Sequence, residues 1–176
     1  KSKADVIEEL KAKKLKFNIP LTFSFTIHDW NNKKELILDT IIKKFNKKKH
    51  IAIRSSSRSE DSKNESQAGK FLSFLNTPTR NRIKIISTIN LVIKSYKNKK
   101  NLNDQVFVQE MISNTSVSGV IFTKDLDTGL NYYVINYDDI SGKTDTVTSG
   151  KGIYSNRTLF IVKGYKKKLN RLDLKN

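Results

Sequence analysis

The chain contains no cysteine. That excludes a disulfide framework and any thiolate metal site, and it makes the cytoplasm the default compartment. No uninterrupted run of about 18 apolar residues occurs, so no membrane-spanning helix is expected. No secretory leader pattern opens the chain. Histidine is scarce: His28 lies within Thr26-Ile27-His28-Asp29-Trp30, and His50 stands just before an apolar run. Both read as structural. Acidic residues are also few, 17 Asp and Glu against 34 Lys and Arg, which leaves a net charge of +17. Such a balance favours anionic partners: nucleotide phosphates, nucleic acid or acidic lipids. The lysine runs at 47–49, 97–100 and 166–168 flank predicted elements and lack interleaved aromatics, so they read as solvated linkers. No nucleic-acid or membrane partner is expected from them.

A length of 176 residues corresponds to one domain or two small lobes, large enough to bury a core. Apolar spacing predicts helices over 3–15, 33–48 and 82–97. On the second helix the predicted apolar face is Leu36, Ile37, Thr40, Ile41 and Phe45. On the third it is Ile85, Ile86, Ile89, Val92, Ile93 and Tyr96. Strands are predicted over 21–27, 50–54 and 69–76, with Pro78 as a breaker. Beyond residue 106 the pattern changes to strands alone, over 106–112, 118–123, 132–137, 144–148 and 158–162, with Asp127-Thr128-Gly129 as a turn. The fold class is therefore α+β. The expected division is an N-terminal lobe over 1–108, a β-rich lobe over 109–165 and a basic tail over 166–176. Because the chain begins at Lys1 without Met, it is expected to be a fragment of a longer polypeptide.

The stretch from 51 to 76, IAIRSSSRSEDSKNESQAGKFLSFLN, carries the most chemistry. An apolar strand, Ile51-Ala52-Ile53, delivers Arg54, followed by hydroxyls and the small-residue step Ala68-Gly69. A triphosphate needs cations and closely approaching backbone N–H groups. The planar fork of arginine binds phosphate oxygens in a bidentate way. Glycine suits the loop because a Cβ would hold its backbone away from the phosphate.

Ordered as Ile53-Arg54-Ser55-Ser56, Glu60-Asp61, Ser66-Gln67-Ala68-Gly69, Ser73 and Leu75-Asn76, this stretch resembles the ATP-binding domain shared by pyruvate phosphate dikinase, phosphoenolpyruvate synthase and related dikinases. The resemblance runs from about residue 2 to 163. Upstream it takes in Ser2-Lys3 before Ala4 to Leu10, then Ile19-Pro20, Phe23 and Thr26. Downstream it takes in Val108-Gln109-Glu110-Met111, Ser118 to Gly129, and Gly142 to Gly150. Three positions depart from the family pattern: Ser2 for glycine, Leu126 for proline and Asp145 for glutamate. The last segment and Asp138-Asp139 are similar to a divergent branch, the glutamine kinase-like enzymes of capsular polysaccharide modification.

The resemblance implies an ATP-grasp-like fold of two lobes with ATP between them. It gives Arg54 a catalytic role on the phosphates and assigns Lys3, Ser55, Gly69, Ser73, Gln109, Met111 and Asp145 to ATP binding, with Gln109 at the hinge facing adenine. It also implies Mg²⁺, although no residue of this chain is assigned as a metal ligand: the family's acidic metal ligands and its Q-x-R-P strand do not occur here, and its phospho-accepting histidine belongs to a separate domain, so that His28 in Thr26-Ile27-His28 reads as structural. The implied activity is phosphoryl transfer from ATP to a histidine on another domain of the same polypeptide, with release of AMP and phosphate. By itself the chain is expected to be inactive. A competing expectation, from charge alone, is a basic nucleic-acid-binding module.

Overall fold

A computed structural model of the chain describes residues 1–13, 15–57, 72–96, 101–149 and 156–164. The chain separates into two compact units, Lys1–Met111 and Ile112–Asn176. Each unit carries its own antiparallel sheet. The fold class is α+β.

In the first unit the elements run α1 (Lys3–Lys11), β1 (Thr22–Thr26), α2 (Ile27–Lys44), β2 (His50–Ser56), β3 (Ser73–Pro78), α3 (Arg82–Lys94) and β4 (Gln105–Glu110). The sheet order is β1-β4-β2-β3. Alternation divides its side chains cleanly. Phe25, Ile51, Ile53, Val106 and Val108 face one side and join Ile37, Leu38 and Ile41 of α2 and Ile85, Ile89 and Val92 of α3 in a single buried cluster. Each such side chain contributes roughly 1.5–3 kcal/mol on burial. The opposite face carries Thr22, Ala52, Arg54, Ser56, Gln105, Phe107 and Gln109, in register across three strands. α1 lies on this second face, where the Lys11 ammonium meets the Thr22 hydroxyl and Ser56 Oγ accepts from the Ala4 amide at 3.0 Å.

Several predicted elements shift. α1 ends at Lys11 because residues 11–13 are exposed and have nothing apolar to cover. α2 starts six residues before the predicted Lys33. Thr26 and Asp29 form a capping box there, and the helix crosses a kink at Lys33, where φ is −133°. Leu38 is fully buried, whereas Leu36, placed on the apolar face by the sequence pattern, is 64% exposed. β3 runs to Pro78, which an edge strand tolerates at its end. Its predicted start at 69–71 lies outside the described residues.

The second unit holds β5 (Ser118–Phe122), β6 (Tyr132–Asp138), α4 (Thr146–Ser149) and β7 (Asn156–Val162), with sheet order β5-β6-β7. The strand predicted over 144–148 is instead the single turn α4. The threonines there favour a strand intrinsically, but the Asp145 carbonyl takes the Ser149 amide at 2.8 Å and closes a helical turn. Gly142, at φ +66°, has already turned the backbone away from β6. Among the described residues no helix is long and apolar enough to cross a membrane.

Candidate functional site

β2 and β4 form the floor of a cavity of about 380 Å³ on the α1 side of the first sheet. Its lining is Lys3, Val6 and Ile7 from α1, Arg54 and Ser55 from β2, and Phe107 and Gln109 from β4. The register explains the grouping. Arg54 pairs with Phe107, and Ala52 pairs with Gln109, so Arg54, Phe107 and Gln109 share one sheet face. α1 crosses that face and brings Lys3 to the same space. The volume falls in the range of small-molecule sites. Two cationic side chains, one amide, one hydroxyl and three apolar side chains surround it, with no carboxylate among the described lining residues. Such a surface attracts an anion that also has an apolar part.

The sequence-derived residues therefore divide as follows. Lys3, Arg54, Ser55 and Gln109 meet in the cavity. Ser55 belongs by strand parity with Ile51 and Ile53, so its side chain starts from the face covered by α2 and α3; it is buried. Ser73 pairs with Arg54 on the neighbouring edge strand, exposed and outside the lining. Met111 follows β4, where its amide donates to the His50 carbonyl at 3.2 Å and fixes the strand end. Asp145 belongs to the second unit and leads into α4. Gly69, like all of residues 58–71, lies outside the described residues.

ATP fits the character of this lining: cations for phosphates, an apolar surface of Val6, Ile7 and Phe107, and an amide that can both donate and accept. Mg²⁺ does not fit it. At nucleotide sites Mg²⁺ is usually held by one or two carboxylates together with waters and the phosphates themselves, and the described lining offers no carboxylate. Among the described residues no group of three or more metal-ligating side chains occurs.

Val6, Ile7 and Phe107 were not singled out as site residues from the sequence. Parity was the available signal for Phe107, which stands two residues before Gln109. Gly119, read only as part of a Ser-Gly-Val match, has a packing reason: a Cβ there would lie 2.4 Å from the Asn136 carbonyl on β6. A second cavity of about 400 Å³, lined by Ser2, Thr26, Ser56, Asn101, Asn103, Asp104 and Gln105, sits where β1, β2 and β4 end. Its carboxylate, Asp104, is buried and accepts from the Ser57 hydroxyl at 2.7 Å and the Asn101 amide at 3.0 Å.

Comparison with curated proteins finds no match. A family does match, described as pyruvate phosphate dikinase, AMP/ATP-binding domain, over residues 28–139. That span contains Arg54, Ser55 and Gln109 and leaves Lys3 and Asp145 outside it. Since it takes in well over half of the 176 residues, the chain belongs to the family of the AMP/ATP-binding domain of pyruvate phosphate dikinase.

Proposed function

We propose that the cavity under α1 is an ATP site, and that the chain is the ATP-binding part of a dikinase-type phosphotransferase with an ATP-grasp-like fold. The observation that carries this reading is the meeting of Lys3, Arg54 and Gln109, far apart in sequence, around one cavity. Arg54 would neutralise phosphate charge through its guanidinium fork, and Lys3 would act as a second point charge. Gln109, farther along β4, would meet the base edge. Gly69, from the segment that follows β2, and Ser73, at the start of β3, would complete the phosphate cover. Asp145 and Met111 retain only the roles that the family resemblance gives them.

In such chemistry the protein mainly positions the phosphates and stabilises their charge. A histidine on another domain of the same polypeptide would take the phosphoryl group, and AMP and phosphate would leave. Mg²⁺ would supply further neutralisation of phosphate charge; among the described residues no group of three or more metal-ligating side chains occurs to hold it. What this chain's own residues do is hold the phosphates at Arg54 and Lys3 and shield one side of the nucleotide with Val6, Ile7 and Phe107.

Calorimetric titration of the chain with ATP tests the reading. ATP should bind, and Arg54→Ala should weaken binding by about tenfold or more, as the loss of a charged hydrogen-bonding group requires. Arg54→Lys should lie between the two. Unchanged affinity in Arg54→Ala, or binding of RNA in place of ATP, would overturn it.

A further inference from the structure

α1 has nine residues, and only Ala4 within it is buried. A helix this short does not hold itself together in water. The position of Lys3 over the cavity therefore depends on how the first turn is docked. That docking is a closed polar ring. Ser2 Oγ donates to Gln105 Oε1 at 2.7 Å, and Gln105 Nε2 donates to Asp5 Oδ1 at 3.3 Å. The Ser2 amide donates to Asp5 Oδ2 at 3.0 Å, and the Asp5 amide returns to Ser2 Oγ at 3.1 Å. A fifth bond comes from β2, where Ser56 Oγ accepts from the Ala4 amide at 3.0 Å. Lys3 is flanked by Ser2 and Ala4, which are 2% and 1% exposed.

The strand ends that hold this turn are themselves pinned. Ser56 and Gln105 are register partners. From the far face the Tyr96 hydroxyl donates to the Gln105 carbonyl and accepts from the Ser56 amide. The amide of Gln105 has one workable orientation, because the ionised Asp5 carboxylate only accepts and must face Nε2. A carboxylate at position 105 would break the ring, whereas a protonated one could restore it.

Taking ATP as the cavity's ligand, we propose that Gln105 and Ser56 are positioning residues: they set where Lys3 meets the phosphates without touching the nucleotide. Gln105 lies outside the described cavity lining, and its side-chain amide bonds Ser2 and Asp5 at the start of α1. The charged groups around residue 105 are Asp5 and Lys3 on α1, Arg54 on β2, and Asp104 immediately before β4.

A double-mutant cycle on the whole chain, read by calorimetry with ATP and with inorganic tripolyphosphate, tests the inference. At pH 8, Gln105→Glu should weaken binding of both ligands by about tenfold, the size of coupling expected for groups in one network. In a Lys3→Met background the same change should have less than about a twofold effect, because nothing is left to position. The ratio of variant to parent Kd should fall towards one as the pH approaches 5, since one of two adjoining carboxylates titrates well above its ordinary value. Gln105→Met, which cannot regain a donor, should show no such recovery. Fluorescence of Trp30, the chain's single tryptophan, on the other side of the sheet reports whether each variant is folded. If Gln105→Glu unfolds the chain, Ser56→Ala takes its place in the cycle. Full additivity with Lys3→Met, or a loss that is the same at every pH, overturns the positioning role while leaving ATP binding intact. A parent chain that binds neither ligand overturns the ATP reading, and this role with it.

Discussion

Asp138 closes β6 almost wholly buried, and its carboxylate organises the turn that follows. It accepts from the Ser141 hydroxyl and from the amides of Ile140 and Ser141, both at 2.9 Å. The Ser141 hydroxyl first, then the Ser141 amide and the Thr146 hydroxyl, hold its pKa well below the ordinary aspartate value. The sign of the consequence is fixed. Below about pH 5 the unfolded chain takes up a proton at this site that the folded chain refuses. Stability from Asp138 is thus present above the unfolded pKa and is lost as the pH falls. Thermal melts should show Asp138→Asn less stable than the parent at pH 7, with the gap closing towards pH 3; parallel curves would contradict this. In the sequence, Asp138 and Asp139 stood out only through their similarity to a divergent branch of the family, and nothing there marked Asp138 as the organiser of a turn. Arg54 was easier to find, because an arginine ends the apolar run Ile51-Ala52-Ile53, and Gln109 came from the resemblance of Val108-Gln109-Glu110-Met111 to the family. Gln105 has the same parity, but its importance comes from Ser2 and Asp5, about a hundred residues away, and no local pattern encodes that.

At the scale of elements, helix termini decided most of the differences between prediction and structure. α2 begins where Thr26 Oγ1 accepts from the Asp29 amide at 3.0 Å and the Asp29 carboxylate accepts from the Thr26 amide at 3.2 Å. The Thr26 hydroxyl and then the Thr26 amide also keep Asp29 below its ordinary pKa. The next donors of α2, on Ile27 and His28, reach the carbonyls of Asp104 and Leu102. A Thr-x-x-Asp spacing is visible in the sequence, but the apolar periodicity resumes only after the kink at Lys33, and that pulled the predicted start forward. Thr26→Ala should cost about 1 kcal/mol in urea unfolding, and Thr26→Ser much less. If the two variants lose equally, the methyl rather than the cap is what Thr26 contributes. The predicted stripe on α3 held because Ile85, Ile89 and Val92 recur every three or four residues on one packed face, which Tyr96, just past the helix end, extends. The strand predicted at 144–148 followed from the change of pattern beyond residue 106, but Val147 is the one apolar residue it could pack.

Taken whole, the molecule is unevenly built. The buried apolar cluster lies entirely within Lys1–Met111 and joins two helices to a four-stranded sheet. In the second unit Val134 is the buried hydrophobic residue among those described, while Ile121, Phe160 and Val162 are each more than half exposed. Local opening free energy follows buried apolar contact, so the two units should not share one stability. Amide hydrogen exchange should find the slowest amides on β2 and β4, flanked on both edges by other strands and backed by α2 and α3. Amides of β5 and β7, edge strands of a thin sheet, should exchange at markedly lower free energy. ATP should then slow exchange in α1 and in β2 near Arg54, because a ligand stabilises the state that binds it. Arg54→Ala should abolish that protection while leaving the exchange of the central strands as it was. Equal protection of β4 and β7 in the unliganded chain would mean that the second unit draws its stability from contacts outside its own core.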